Sequence, residues 1–196
     1  MTTSFVVREL TVDDVAKLER FLLLLPDTVY DLWNRFGFSS VDFTPKEVAY
    51  TQCTLPPSLE KGFIAINETE EAIAYSYLRF FPGKKTKKSN ASLGIVVAPA
   101  YQGQGVGMKL MHHMHNWAKK NKIKKIWLAT YSRNKPALNL YKRLGYEIEG
   151  IFVYDEFGHH GWDHVVSMAL MLDEKLYNAN EIRESIINEI EKDTNK

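Results

Sequence analysis

The sequence predicts a mixed α/β protein, with a mostly antiparallel central sheet flanked by helices and a C-terminal helix. Three observations carry that prediction. Of 196 residues, 45% are hydrophobic, enough to bury one sizeable core. Apolar residues recur by turns at two-residue and at three- or four-residue steps, which marks strands and helices in succession. The resulting order is strand, helices, three strands, helix, strand, helix, two strands, which is not a uniform βαβ repeat. The length suits one domain with an appendage rather than two full domains.

Each element has a local cause. Phe5 to Leu10 reads as a first strand, and Thr11 before Asp13 and Asp14 is a helix cap with acids in the first turn. Val15, Leu18, Phe21 and Leu22 form one apolar stripe that Pro26 interrupts. Leu32, Trp33 and Phe36 suggest a short helix ending at Gly37, and Thr44-Pro45-Lys46-Glu47 is an N-cap with proline at the first helical position. Gly62–Ile66 and Ala72–Phe81 are strand-like runs around a polar turn, predicting an antiparallel hairpin closed by Pro82-Gly83. Ser92 to Val97 is the next strand, Val106 to about Lys120 a helix, and Ile123 to Thr130 a strand. Pro136 opens a helix that Gly145 stops. Tyr146–Tyr154 and Val165–Leu172 are the last two strands. Ile182, Ile186 and Ile190 at four-residue spacing predict a packed C-terminal helix, with a dimer-forming helix as the alternative.

Composition excludes several functions. Twenty-five Lys and Arg against 24 Asp and Glu give a formal charge of +1, which supplies no global field for nucleic acid or an anionic membrane. No apolar run reaches spanning length and the N-terminus lacks a secretory pattern, so a cytoplasmic protein is expected. Cys53 is the single cysteine, which rules out an intrachain disulfide and a cysteine zinc cage; with no histidine nearby in sequence it is not assigned as a nucleophile. The six histidines fall in two groups, His112, His113 and His115, then His159, His160 and His164; only His112 with His115 has helical ligand spacing, so no metal is assigned. The lysines of 84–88 and 119–125 read as solvated surface, and no aromatic interleaving supports nucleic-acid binding.

The chemistry concentrates in Leu93-Gly94-Ile95-Val96-Val97-Ala98-Pro99-Ala100-Tyr101-Gln102-Gly103-Gln104-Gly105-Val106-Gly107, an apolar strand, a glycine turn and a helix start. Free backbone N–H groups and the positive helix end favour phosphate there, and a pyrophosphate is the expected ligand. The dinucleotide fingerprint fails, because Met108 stands at its sixth place, and no Gly-Lys-Ser/Thr closes a Walker loop. A second segment, Asn134 to Gly150, follows a strand and opens a helix with Asn134, Ala137 and Tyr141 near one face.

These two segments resemble the GNAT superfamily of N-acetyltransferases. Gln102-x-x-Gly105-x-Gly107 is similar to its acetyl-CoA loop, and Asn134-x-x-Ala137-x-x-x-Tyr141-x-x-x-Gly145-Tyr146 to its second signature, in the family's order and about 30 residues apart. Arg8 to Asp14 looks like the opening strand and helix cap. The resemblance covers about residues 4 to 172. It implies an acetyltransferase domain over 1–172, with 26–60 as a helical insertion on the acceptor side and 173–196 as a helical appendage.

By resemblance, acetyl-CoA is the donor. Its diphosphate rests on the N–H groups of Gln102, Gly103, Gln104, Gly105, Val106 and Gly107, pantetheine pairs like an added strand with the edge at Val96 and Val97, and Val97 N–H meets the developing oxyanion. Asn134 belongs to the same cofactor site, and Lys142 is placed for the 3′-phosphate. Tyr141 is the implied general acid: a phenol, with an ordinary pKa near 10, keeps its proton at neutral pH and can give it to the departing thiolate. The family has no fixed position for the general base, which stays unassigned among Asp155, Glu156, His159 and His160. Glu149-Gly150, Gly161-Trp162-Asp163 and Met168 are similar to the ending of ribosomal-protein N-terminal and amino-acid acetyltransferases, so the expected acceptor is a primary amine on a protein, a peptide or an amino acid. No residue among Trp33, Phe36, Phe38, Phe43 and Tyr50 names it. A homodimer fits the chain, and a non-catalytic CoA-binding or interaction module is the alternative function.

Overall fold

A computed structural model describes residues 4–26, 44–80, 89–158, 161–172 and 179–194. The expected helix at 32–37, the Pro82-Gly83 turn, the lysines of 84–88, and Phe38, Phe43, His159 and His160 lie outside the described residues. The chain divides into two compact units, Met1–Leu128 and Ala129–Lys196.

In the first unit, β1 (Phe5–Glu9) leads through a short 3₁₀ turn into α1 (Val15–Leu23). Asp14 sets that junction: its buried carboxylate accepts from Thr11 N at 2.9 Å and Thr11 Oγ1 at 3.0 Å, and takes the Arg8 guanidinium through both oxygens at 2.6 and 2.7 Å. Burial alone would raise the Asp14 pKa, but the Arg8 and Thr11 hydrogen bonds outweigh it and hold the carboxyl below its ordinary value. α2 (Pro45–Thr54) begins as expected, with Thr44 Oγ1 accepting from Glu47 N at 3.3 Å and Thr44 N donating to Glu47 Oε2 at 2.8 Å.

The strands β2 (Glu60–Asn67), β3 (Ala72–Phe80) and β4 (Asn90–Val97) follow, then α3 (Val106–Lys120) and the start of β5 (Lys125–Tyr131). Their hydrogen-bonded order is β1-β2-β3-β4-β5, antiparallel except for the β4–β5 pair. The period-two alternation of β2 gives the sheet two buried faces. Ile64, with Tyr75, Tyr77 and Val96, packs on Leu18, Phe21 and Leu22 of α1 and Val48 and Ala49 of α2. Phe63 points the other way, its ring 5.9 Å from Trp117 of α3. β5 starts two residues later than expected: the amides of Lys124 and Lys125 both donate to Ser89 O, so the chain meets β4 only from there.

The second unit holds the end of β5, α4 (Lys135–Arg143), β6 (Glu147–Gly158), β7 (Gly161–Met171) and α5 (Ala179–Thr194), with strand order β5-β7-β6. Gly145 terminates α4 at φ +86°, and its N–H closes on Lys142 O at 3.0 Å. β6 and β7 are longer than the sequence suggests, because they pair as a hairpin through Gly158↔Gly161 in the stretch read as an exposed turn. α5 is helical, but Ile182, Ile186 and Ile187 are about half exposed; its Arg183 guanidinium donates to Ile148 O. The four-residue spacing specified the helix and not the packing.

Candidate functional site

The site begins at the edge of β4. Ala98 N donates to Ile73 O at 2.9 Å, and the β3–β4 register runs unshifted from Ala74↔Val97 to Phe80↔Ala91. Bonded and non-bonded pairs alternate along an antiparallel ladder. Gly94 and Val96 therefore turn their backbone groups to β3, while Leu93, Ile95 and Val97 turn theirs to the opposite edge. There the pairing with β5 ends at Ser92↔Trp127. Beyond it no strand among the described residues pairs with that edge of β4, the requirement for an extended amide-bearing chain to add on like a strand.

Gln102 refines that edge. Its Nε2 donates to Val97 O at 3.0 Å, which occupies the Val97 carbonyl and leaves the Val97 N–H as the open group. Val96 is buried, with its side chain in the core and its amide toward β3, so of the two valines expected at the edge it is Val97 that presents hydrogen-bonding groups. Ile95 joins Val97 there; only the β3 register exposes its role, so the sequence held no signal for it.

The glycine loop follows. Gly103 and Gly105 stand at φ +72° and +83°, and a Cβ built on either would meet nothing within 4 Å. Glycine is needed for the backbone angle and leaves open space above it. Gln104 Nε2 donates back to Ala100 O at 2.7 Å, closing the turn on itself. Gly105 caps α3, whose first intrahelical bond in that turn is Lys109 N to Gly105 O at 3.0 Å. The amides of Val106, Gly107 and Met108 thus lead the helix without intrahelical partners, at its positive end. These residues fit a diphosphate.

In the second unit, Asn134 caps α4 through Oδ1, which accepts from Ala137 N at 3.3 Å, and Pro136 occupies the first turn. α4 carries Tyr141, 6% exposed, its ring 5.8 Å from Tyr146. Burial pushes the Tyr141 phenol above its ordinary value, so it holds its proton across the physiological range. Lys142 is exposed on the last turn.

Other titratable residues read differently. His115 is buried in α3, and burial, then His112 and Lys119, push its pKa down to about 4. Burial, then the Asp14 charge, push the Cys53 thiol up to about 12, the opposite of an activated nucleophile. Among the described residues no three His, Cys, Asp or Glu side chains converge as a metal cage. No described helix is long and apolar enough to cross a membrane.

A mixed α/β chain whose fourth strand leaves an open edge and runs into a glycine loop presents what a ligand with an extended amide-bearing arm and a diphosphate requires. Residues 27–146 match the model of the acetyltransferase (GNAT) family, and the chain belongs to that family. Over 57 residues it is 35% identical to the streptothricin acetyltransferase of Streptomyces lavendulae, a match spanning 29% of this chain and 30% of that protein. The yncA protein of Salmonella typhimurium, solved with its cofactor acetyl-CoA, shares the fold at TM-score 0.72 and 17% identity, over 88% of this chain and 96% of that one. The ribosomal-protein alanine N-acetyltransferase of Escherichia coli does so at TM-score 0.61 and 22% identity, over 89% and 100%.

Proposed function

We propose that this protein is an acetyl-CoA-dependent N-acetyltransferase that moves an acetyl group directly to a primary amine, on a protein or peptide N-terminus or on an amino acid. The open β4 edge that leads into the glycine loop carries the reading. The backbone groups of Ile95 and the Val97 N–H offer strand-like pairing to pantetheine, and the amides from Gln102 to Gly107 take the diphosphate. By the family resemblance Asn134 and Lys142 also serve the coenzyme, Lys142 at the 3′-phosphate.

Transfer needs two groups from the chain and a neutral acceptor nitrogen. Val97 N–H donates to the carbonyl oxygen of the thioester as the amine nitrogen bonds to its carbon and charge moves to that oxygen. Tyr141 gives its phenolic proton to the sulfur as the carbon–sulfur bond breaks, the nitrogen sheds its extra proton to solvent, and solvent reprotonates the phenolate. The acceptor nitrogen must be neutral to attack, which favours an α-amine, ordinarily near pKa 7.8, over a lysine-like amine near 10.4. The short match to streptothricin acetyltransferase supports a second acceptor, the amine of an antibiotic of that kind.

Thermal unfolding with saturating acetyl-CoA tests the reading, with NADH and ATP as controls. A ligand at 100 times its dissociation constant adds about 2.7 kcal/mol, which is roughly 5 to 11 °C for a chain of this size. A shift with acetyl-CoA alone, followed by thiol release on an amine panel, is the expected result. A shift without turnover on any amine would favour the non-catalytic CoA-binding module, and no shift would remove the coenzyme assignment.

A further inference from the structure

We propose that the rings of Tyr154, Trp162 and His164 form a subsite for an ammonium group, and that the acceptor therefore carries a second positive charge besides the amine that is acetylated; this rests on the acetyl-transfer reading above. Trp162 and His164 stand two residues apart on β7 and so share a face. Tyr154 reaches them from an irregularity in β6. The register passes from Phe152↔Val165 to Glu156↔Asp163, so β6 spends four steps where β7 spends two.

Within that bulge Tyr154 takes φ +54°, the one left-handed non-glycine residue inside a strand among the described residues. Such a conformation is unfavourable for a bulky side chain and persists only when its surroundings hold it. His164 holds it, Nδ1 accepting the Tyr154 amide at 3.0 Å. The bulge sets the Tyr154 ring edge-on to His164, centroids 5.1 Å apart, and edge-on to Trp162 at 6.1 Å. This is not core packing, for Tyr154 is 63% and Trp162 57% exposed.

Charge decides what such a corner takes. Residues 151–158 include Asp155 and Glu156 and no lysine or arginine. The adjacent cation, Arg133, is paired with Asp163 at 3.0 Å. Aromatic faces attract cations, and the acidic residue Asp155 next to Tyr154 in the chain adds to that pull. Because the reacting nitrogen must be neutral, a cation held on these rings is a different group of the same acceptor. The corner is also tied to the catalytic helix: Ser132 N donates to His164 O at 2.8 Å, in the turn that leads to Asn134, the cap of the helix bearing Tyr141.

The test compares 1,5-diaminopentane with pentylamine, two acceptors of matched length, by thiol release. The expected result is a higher kcat/KM for the diamine, a preference that Trp162→Ala reduces about two- to fivefold through KM and that Trp162→Tyr largely restores, as the usual strength of a cation over an exposed aromatic face implies. Tetramethylammonium, which has no proton to lose, should quench tryptophan fluorescence saturably, where tert-butanol does not, and Tyr154→Leu should abolish the effect. The binding arm judges the subsite even if no amine is turned over, whereas loss of the acetyl-CoA shift would fell the acetyl-transfer reading instead. Equal loss on both amines, no quenching, or a Trp162→Ala variant that changes only the sedimenting mass, which would make the rings a contact between copies, overturns the proposal.

Discussion

Tyr141 and Asp14 are both buried, yet Tyr141 has the proposed chemical role, while Asp14 ties Arg8 to the Thr11 turn. Tyr141→Phe keeps the ring beside Tyr146 and removes only the proton. Turnover should then fall about 100-fold or more, the usual contribution of a general acid, with acetyl-CoA affinity retained. Unchanged turnover on every accepted amine would exclude Tyr141 as the acid. Asp14→Asn breaks the paired contact with Arg8 and should cost about 2 kcal/mol at neutral pH. The Asp14 carboxyl is held below its unfolded value, so its contribution is present above about pH 4 and lost as pH falls through the folded-state value. Urea unfolding at pH 7 and pH 3 should show a larger gap between wild type and variant at the first than at the second. A gap independent of pH would mean that the ion pair is not its source.

Strand β4 and the turn after it work as one element. The glycine spacing in Gln102 to Gly107 was legible in the sequence, because a positive φ restricts residue type locally. The open edge was not, because it depends on where β3 and β5 pair with β4, and pairing register is a long-range property. That is why Val96 and Val97 looked equivalent in the sequence and Ile95 did not stand out. Gly105→Val tests the loop: a branched side chain at φ +83° should cost about 1 to 2 kcal/mol of stability and place methyl groups in the open space above the turn. Calorimetry on the folded variant should then find no acetyl-CoA binding, and retained affinity would move the diphosphate elsewhere.

For the whole molecule, a formal charge of +1 leaves little mutual repulsion between copies, while Ile151, Phe152, Val153, Tyr154 and Trp162 stand exposed. Solubility should pass through a minimum just above neutral pH and recover on either side as net charge grows. Light scattering across that range checks it, and flat solubility would point to those residues being covered in solution. The helix spacings, caps, glycine stops and family motifs could all be read from the order of residues, since each depends on neighbours within a few positions. The extra length of β6 and β7, the exposure of the α5 isoleucines, the bulge at Tyr154 and the free edge of β4 could not. Each depends on which distant strand supplies the hydrogen bonds or which distant face excludes water, and a chain's local pattern constrains neither.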